Sequence, residues 1–188
     1  MKEIFFVTGN NDKFEEAKVI LKKVGIDLKK SDIEIVEKKF KTEKEVSIGK
    51  ALSALRELNA PLIVEDTGIY FEAYNCFPGP NANVVFQGIS YDGLLKLLEE
   101  KDRKAFFRTS ICFIKPNSNP VCFIGECHGK IAEKVSETIS FAYDAIFIPD
   151  GETRTFSEMT KEEKEKYSHR RKALEEFAKW LKECGARV

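Results

Sequence analysis

Residues 3–13 read EIFFVTGNNDK, an apolar run that ends in a small polar turn. The apolar run predicts a buried strand. Asn11 or Asp12 can cap a helix that continues to Val24, and Gly25 is placed to end it. A strand that passes through a turn into a helix begins a β-α-β unit, so a parallel sheet is expected.

The same alternation continues downstream. Residues 33–36 predict a second short strand, residues 44–58 a second helix, and residues 62–64 a third strand. The apolar residues expected on one face of that helix are Ile48, Leu52 and Leu55. This β-α-β-α-β order predicts a largely parallel sheet covered by helices.

The middle of the chain has a different pattern. Residues 77–80 form a turn-rich break, and a helical stretch follows around residues 91–98. Residues 104–114 and 121–133 are long strand patterns, joined by a Pro- and Asn-rich segment typical of a hairpin. An antiparallel lobe is therefore predicted beside the parallel part.

A final amphipathic helix is predicted from Ser168 to Cys184. Its core-facing residues are Ala173, Leu174, Phe177, Ala178 and Leu181. With no repeat, low-complexity tract or linker, residues 1–188 are predicted to form a single α/β domain.

Composition argues against two classes of partner. Thirty-one basic residues balance 31 acidic ones, so no global field draws the chain to nucleic acid. No apolar run approaches the ~20 residues that span a bilayer, and no signal segment is expected in the first residues. We therefore expect neither a nucleic-acid nor a membrane partner.

The five cysteines are odd in number and scattered along the chain. They are Cys76, Cys112, Cys122, Cys127 and Cys184. This usage favours reduced thiols and a cytoplasmic location over a disulfide framework.

The turn that includes Thr8, Gly9 and Asn10 presents free backbone N–H groups at the positive end of a helix. That geometry suits a phosphate, and Lys13 adds a point charge. The segment matches neither the dinucleotide fingerprint nor the P-loop. The competing interpretation is a capped turn in which Lys13 and Glu16 are solvated.

Two adjacent carboxylates, Glu65 and Asp66, end the third predicted strand. Ligands of open α/β sheets bind at such strand ends. A carboxylate there can hold Mg²⁺ or accept a proton from water, and since side chains alternate along a strand only one need face a ligand. The alternative is a charged strand end with Gly68 as a turn residue.

Two further segments could contact a base. Phe141 lies in a loop before Tyr143 and Asp144, and a loop aromatic can stack on a base, although a core phenylalanine is commoner. His169 and Arg170 begin the final helix, where Arg170 can offer a fork of donors to a carbonyl. A histidine at such a position is more often a cap or core residue.

Taken together, these segments resemble the inosine triphosphate pyrophosphatase family, which hydrolyses non-standard purine nucleoside triphosphates. Five stretches resemble family motifs in order: T-G-N-x-x-K-x-x-E at residues 8–16, E-D-T/S-G at 65–68, F-P-G-P at 77–80, F-G-[YW]-D-P at 141–145 and S-H-R at 168–170. The resemblance covers nearly the whole chain. It implies a mixed, elongated sheet flanked by helices, with two lobes and a central nucleotide cleft, a homodimer, and dependence on Mg²⁺.

The resemblance also implies roles for single residues. Asp66 is the catalytic base, and Glu37 and Asp66 are the metal ligands. The substrate-binding residues are Thr8, Asn10, Lys13, Lys50, Thr67, Phe141, Tyr143, Asp144, Lys164, His169 and Arg170. Of these, Asn10, Lys13 and Lys50 hold the triphosphate and Phe141 stacks on the purine. The residues that line the base and sugar pocket are Asp144, Lys164, His169 and Arg170.

The chain departs from the family pattern in four places. Ala142 replaces a glycine, Ala145 a proline and Asn81 an aromatic, and residues 38–40 replace a glutamine-glycine pair after Glu37. A glycine lets the backbone approach a ligand closely, so Ala142 is expected to narrow the base pocket or change its backbone angle.

Two other functions stay open. A related house-cleaning pyrophosphatase for modified pyrimidines or methylated bases would keep Lys13, Asp66 and Mg²⁺ but lose the preference for 6-oxopurines. A catalytically silent nucleotide-binding protein is the second. The alanines at positions 142 and 145 raise this alternative, and the presence of Lys13 and Asp66 argues against it.

Overall fold

The computed structural model of the protein describes residues 2–35, 41–75, 77–139 and 142–183. The strands in these ranges are β1 (Lys2–Val7), β2 (Ile26–Ser31), β3 (Leu62–Phe71), β4 (Phe77–Gly79), β5 (Lys104–Ile114), β6 (Val121–Ile131) and β7 (Phe147–Pro149). The α-helices there are α1 (Asn11–Lys22), α2 (Glu43–Leu58), α3 (Ala82–Leu97), α4 (Lys161–Glu165) and α5 (His169–Glu183). Single 3₁₀ turns cover Glu72–Tyr74, Tyr143–Ala145 and Phe156–Glu158.

The seven strands form a sheet in the order β2-β1-β3-β5-β6-β7, with β4 paired to β3. Strand β1 is parallel to both β2 and β3. Strand β4 runs antiparallel to β3, and β7 runs antiparallel to β6. The prediction of an α/β fold with a mixed sheet flanked by helices is therefore confirmed.

The chain divides into two compact units. Unit 1 comprises Met1–Asp66, Thr109–Gly125 and Arg170–Val188, and unit 2 comprises Thr67–Arg108 and Glu126–His169. The single domain predicted over residues 1–188 stays a prediction.

Unit 1 holds two apolar clusters. The larger gathers side chains of β1, β2, α1 and α5, and it includes the five α5 residues predicted to face the core: Ala173, Leu174, Phe177, Ala178 and Leu181. Aromatic rings of β5, β6 and α5 extend it, with Phe113 and Phe123 against Phe177 at 5.5 and 5.3 Å between ring centroids. The second cluster joins α2, through Ala51 and Ala54, to Leu62 and Val64 of β3.

Unit 2 has its own core around α3. Leu94 of α3 is fully buried among residues of β3, β5, β6 and β7. Phe107 meets Phe147 edge-on at 4.7 Å between ring centroids. Helix α3 is interrupted at Ser90, whose backbone (φ 53°, ψ −166°) is not helical.

The second strand was predicted in the wrong place. Residues 32–35 are not in a strand, residue 36 lies outside the described ranges, and β2 instead starts directly after Gly25. Gly25 has φ +78°, which turns the chain from α1 straight into the sheet. Ile26 and Leu28 alternate into the core, but the lysines that follow hide this short pattern in the sequence.

Three other elements differ from their predicted extent. Strand β3 continues to Phe71, and residues 77–79 of the turn-rich break are a strand that pairs with it. Helix α3 begins at Ala82, well before the predicted residue 91. The prediction missed this start because it contains β-branched residues, which have low helix propensity. In α2, Leu52 is exposed, while the small residues Ala51 and Ala54 face the core.

Cys112 of β5 and Cys122 of β6 form a disulfide. The expectation of reduced thiols is wrong for this pair, because the sheet places the two strands side by side. Cys127 is buried and is not part of this disulfide. Cys76 and Cys184 lie outside the described residues.

None of the helices in the described ranges is both long and apolar enough to cross a membrane.

Thr42 caps α2, the helix that carries Lys50. Its Oγ1 accepts a hydrogen bond from the Glu45 backbone at 3.2 Å, and Glu45 Oε2 accepts one from the Thr42 backbone at 3.1 Å. We expect T42A to lower the free energy of unfolding by about 1 kcal/mol, because a backbone N–H of the first turn loses its partner. Urea titration measures this, and T42S, which keeps the hydroxyl, should stay near wild type. Equal losses in T42A and T42S would contradict the prediction.

Candidate functional site

Strand β3 separates the two adjacent carboxylates that the sequence singled out. Successive side chains of a strand point to opposite faces of the sheet. Glu65 pairs with Lys13 of α1, whereas Asp66 pairs with Lys50 of α2. Both carboxylates therefore hold a lysine, each from a different helix.

The turn before α1 fixes where Lys13 starts. Asn10 Oδ1 accepts a hydrogen bond from the Lys13 backbone N–H at 3.1 Å, so Asn10 is the N-cap of the helix. The Asn10 backbone N–H in turn donates to Thr8 Oγ1 at 3.2 Å. These bonds hold the first turn, and Lys13 remains 27% exposed at its side chain.

Four charged side chains form a chain of ion pairs beside β3 in unit 1. Lys13 Nζ lies 2.9 Å from Glu65 Oε1, and Arg170 Nε lies 2.7 Å from Glu65 Oε2. Arg170 Nη1 lies 3.0 Å from Glu16 Oε2. We call this set the Glu65 network: Lys13, Glu65, Arg170 and Glu16. It contains two cations and two carboxylates.

The network explains how a fully buried carboxylate stays charged. Burial by itself would raise the pKa of Glu65, but the Arg170 guanidinium and the Lys13 ammonium outweigh it and hold that pKa well below its ordinary value. Burial would lower the pKa of Arg170, yet Glu65 and Glu16 raise it above its ordinary value. Both groups are therefore ionised at neutral pH.

Asp66 and Lys50 form a second ion pair. Lys50 Nζ lies 2.8 Å from Asp66 Oδ1, and both side chains are about nine-tenths buried, 14% and 13% exposed. Asp66 is therefore a carboxylate held beside a cation.

The donor set can be compared with the needs of Mg²⁺. In the described part of the chain, no group of three or more His, Cys, Asp and Glu side chains is arranged to hold a metal ion. Mg²⁺ is commonly bound by one or two carboxylates together with substrate phosphates and waters. The oxygen donors of Asp66 fit that mode, while Glu37, the other predicted ligand, lies outside the described residues.

Unit 2 brings together other predicted site residues. Lys164 Nζ forms an ion pair with Asp144 and lies 5.1 Å from the centroid of the Phe156 ring. The His169 ring is buried and stacks on Phe107, with centroids 5.0 Å apart and planes at 18°. These charged and polar groups are backed by the aromatic core of unit 2.

Tyr143 and Thr67 are also placed in unit 2. The buried Tyr143 hydroxyl donates to the carbonyl oxygen of Ala82 at 2.8 Å, and burial raises its pKa above the ordinary value. This bond ties the loop of Tyr143 to the start of α3. Thr67 lies half-buried in β3.

Gly68 is not the turn residue suggested by the sequence, since it lies inside β3. A Cβ at this position would meet the carbonyl carbon of Gly79 at 2.7 Å, closer than real Cβ contacts. The glycine therefore admits β4 against β3.

The departures from the family pattern are accommodated locally. Ala142 has φ −42° and ψ −65°, a right-handed backbone that needs no glycine. Ala145 is fully buried in the 3₁₀ turn that follows. Asn81 precedes α3 as its N-cap without a side-chain capping bond. The expected change of backbone angle at Ala142 is therefore not needed to form this loop.

Glu16 and Glu65 were not predicted as site residues, although both stand in the matched motifs. The alternation of Glu65 and Asp66 along β3 could have signalled that they serve different faces. Their partner Arg170 lies over a hundred residues away, so the pairing itself was not readable. Phe141, the predicted stacking residue, lies outside the described residues.

The Glu65 network predicts an acid-sensitive contribution to stability. The pKa of Glu65 is lowered on folding, so this contribution is present above its ordinary pKa of 4.5 and is lost as the pH falls towards the lowered value. We expect E65Q to be less stable by about 3 kcal/mol at neutral pH, because Arg170 and Lys13 lose their buried counter-charge.

The melting temperature of E65Q should then fall less steeply than that of wild type between about pH 5 and pH 3. Calorimetry measures this. E175Q, which removes an exposed carboxylate paired with Arg171, controls for the loss of one charge. Parallel curves for wild type and E65Q would contradict the assignment.

Comparison with known proteins agrees with the motifs. The Ham1 family model matches residues 4–180. A dITP/XTP pyrophosphatase of Methanopyrus kandleri is 45% identical over 181 residues, with 96% of each chain covered. One of Hyperthermus butylicus is 39% identical, with 97% of this chain and 96% of that protein covered.

Solved structures show the same architecture. The Staphylococcus aureus Ham1 protein superposes with a TM-score of 0.84 at 28% identity, covering 96% of this chain and 98% of that one. A HAM1 protein from Coxiella burnetii gives 0.85 at 28% identity, covering 97% and 100%. The resemblance inferred from five short motifs is thus confirmed, and the chain belongs to the Ham1 family.

Proposed function

We propose that this protein hydrolyses non-standard purine nucleoside triphosphates, namely ITP, dITP and XTP, to the monophosphate and pyrophosphate, and so cleanses the nucleotide pool. The observation that carries the proposal is the 45% identity, over 96% of both chains, to a dITP/XTP pyrophosphatase. The two carboxylates of β3 and the lysines of α1 and α2 that pair with them support it, because they supply the charges that this reaction needs.

The triphosphate needs cations. It carries about four negative charges at neutral pH, which lysines and a divalent metal neutralise during phosphoryl transfer. Lys13 and Lys50 are assigned this role, with Asn10 and Thr8 shaping the turn before α1. Each lysine is held by a carboxylate of β3, so both are positioned before substrate arrives.

Asp66 is assigned as the base that accepts a proton from the attacking water. Asp66 and Glu37 are assigned to hold Mg²⁺, which would neutralise phosphate charge when bound. The carboxylate chemistry of Asp66 supports this assignment, since Mg²⁺ prefers oxygen ligands.

Base selection is assigned to hydrogen bonding at the purine edge. Hypoxanthine and xanthine present O6 as an acceptor and N1–H as a donor, whereas adenine presents the reverse. Donors from His169 and Arg170 would lose their partner with adenine, and each unsatisfied buried group costs about 1–3 kcal/mol. Asp144 and Lys164 are assigned to the base and sugar pocket, Thr67 and Tyr143 to substrate binding, and Phe141 to stacking on the purine.

A homodimer, which the family resemblance implies, and a cytoplasmic location, which the odd number of scattered cysteines favours, belong to the same proposal. Gel filtration with light scattering tests the first, and cell fractionation the second.

The direct test is incubation of the purified protein with Mg²⁺ and ITP, XTP, GTP or ATP, followed by separation of the products. We expect IMP or XMP together with pyrophosphate, and slow turnover of ATP. Release of orthophosphate, or binding of ITP without turnover, would instead identify another phosphohydrolase or a silent binder.

D66N tests the assigned base. Asparagine keeps an oxygen that can accept from Lys50 but cannot take a proton, so we expect kcat to fall about a hundredfold or more with the fold retained. Steady-state kinetics and circular dichroism measure the two effects. The control D92N changes an exposed aspartate of α3 and should keep wild-type kcat. Near-full turnover by D66N would remove Asp66 from this role.

H169F tests base selection. Phenylalanine keeps the ring contact with Phe107 but loses the hydrogen-bonding nitrogens, so the ITP-to-ATP ratio of kcat/KM should fall about five- to a hundredfold. The matched control is H128F, because His128 also lies against a phenylalanine, Phe106, at 5.2 Å, but is half exposed. A ratio that falls equally in both variants, or in neither, would count against His169.

A further inference from the structure

We infer that Glu65 is a positioning residue that couples the phosphate-binding lysine, Lys13, to the base-selecting arginine, Arg170. The inference rests on the proposed function, which assigns Lys13 and Arg170 to two different parts of the substrate. It adds a residue that has no assigned role in that function. It also predicts that a substitution at Arg170 weakens the binding of a phosphate ligand that has no base.

The geometry is that of one carboxylate shared between two cations. Glu65 Oε1 lies 2.9 Å from Lys13 Nζ, and Glu65 Oε2 lies 2.7 Å from Arg170 Nε. The Glu65 side chain is 1% exposed, so it exchanges neither partner for bulk water. Lys13 comes from α1 and Arg170 from α5, two helices packed on the same apolar cluster.

Burial makes the sharing consequential. In a region of low effective dielectric, the loss of one charge in a network changes the interaction energies of the remaining charges far more than it would in water. If Arg170 loses its charge, the Glu65 carboxylate is left to Lys13 alone. Its hold on the ammonium then strengthens, and Lys13 becomes a weaker partner for phosphate.

Arg170 also has a second carboxylate partner, which provides an internal comparison. Glu16 Oε2 lies 3.0 Å from Arg170 Nη1. The described contact of Lys13 within this network is with Glu65. The coupling between Arg170 and Lys13 should therefore depend on Glu65 and survive the loss of the Glu16 charge.

The experiment is a double-mutant cycle on the binding of inorganic tripolyphosphate, measured by isothermal titration calorimetry without divalent metal. This probe has the phosphates and lacks the base. R170M should weaken its binding about fivefold in the wild-type background, within the usual range of coupling between residues in one network. In the E65Q background the same substitution should change binding by less than about twofold. In the E16Q background the fivefold effect should persist.

Thermal denaturation of each variant shows whether it is folded at the temperature of the titration. If R170M does not fold, R170Q, which also removes the charge but keeps a polar side chain, replaces it. The reciprocal measurement then uses K13M and inosine, which has the base and lacks phosphate. K13M should alter inosine affinity in the wild-type background and leave it unaltered with E65Q, because coupling between two sites is reciprocal.

Two results would overturn the coupling. Equal effects of R170M with and without Glu65 would show that Arg170 acts through its own field, and no effect in either background would show that the two cations are independent. ITP hydrolysis by wild type, assayed in parallel, separates these results from failure of the proposed function. A wild-type protein that neither hydrolyses ITP nor binds tripolyphosphate would overturn both.

Discussion

The burial of one carboxylate, Glu65, constrains the candidate site more than any other interaction. A buried charge is tolerated only when it is paired and hydrogen-bonded. Glu65 meets that demand with Lys13 from α1 and Arg170 from α5. The strand and the two helices must therefore keep their relative positions, and the apolar cluster that α1 and α5 share holds them there.

Strand geometry then places the two neighbouring carboxylates of β3 on opposite faces of the sheet. Glu65 and Asp66 are neighbours in sequence but serve different helices, because alternate side chains leave a strand on opposite faces. One carboxylate is assigned to position a lysine and an arginine, the other to act on water beside Lys50. The two adjacent acids are thus not a redundant pair, and a substitution at one is not expected to mimic a substitution at the other.

In unit 2 a buried carboxylate is likewise paired with a cation, and aromatic rings pack against the polar groups. Asp144 is buried and paired with Lys164, whose ammonium lies over the Phe156 ring. His169 stacks on Phe107, so its plane is set by the core. Polar groups that rest on packed rings have few alternative rotamers, which lowers the entropy cost of binding a ligand. The alanines at positions 142 and 145 fit this loop without a strained backbone.

The sequence alone was enough for the family, the mixed α/β class, the long β5 and β6 strands and the core face of α5, because these follow from periodicity and motif order along the chain. It misplaced β2, where lysines mask two core residues, and it missed that Cys112 and Cys122 would face each other across neighbouring strands. Nor could it pair Glu65 with Arg170, 105 residues away. Those features depend on which distant segments meet, and tertiary packing alone decided them, because burial forces charged groups to find partners that local sequence does not name.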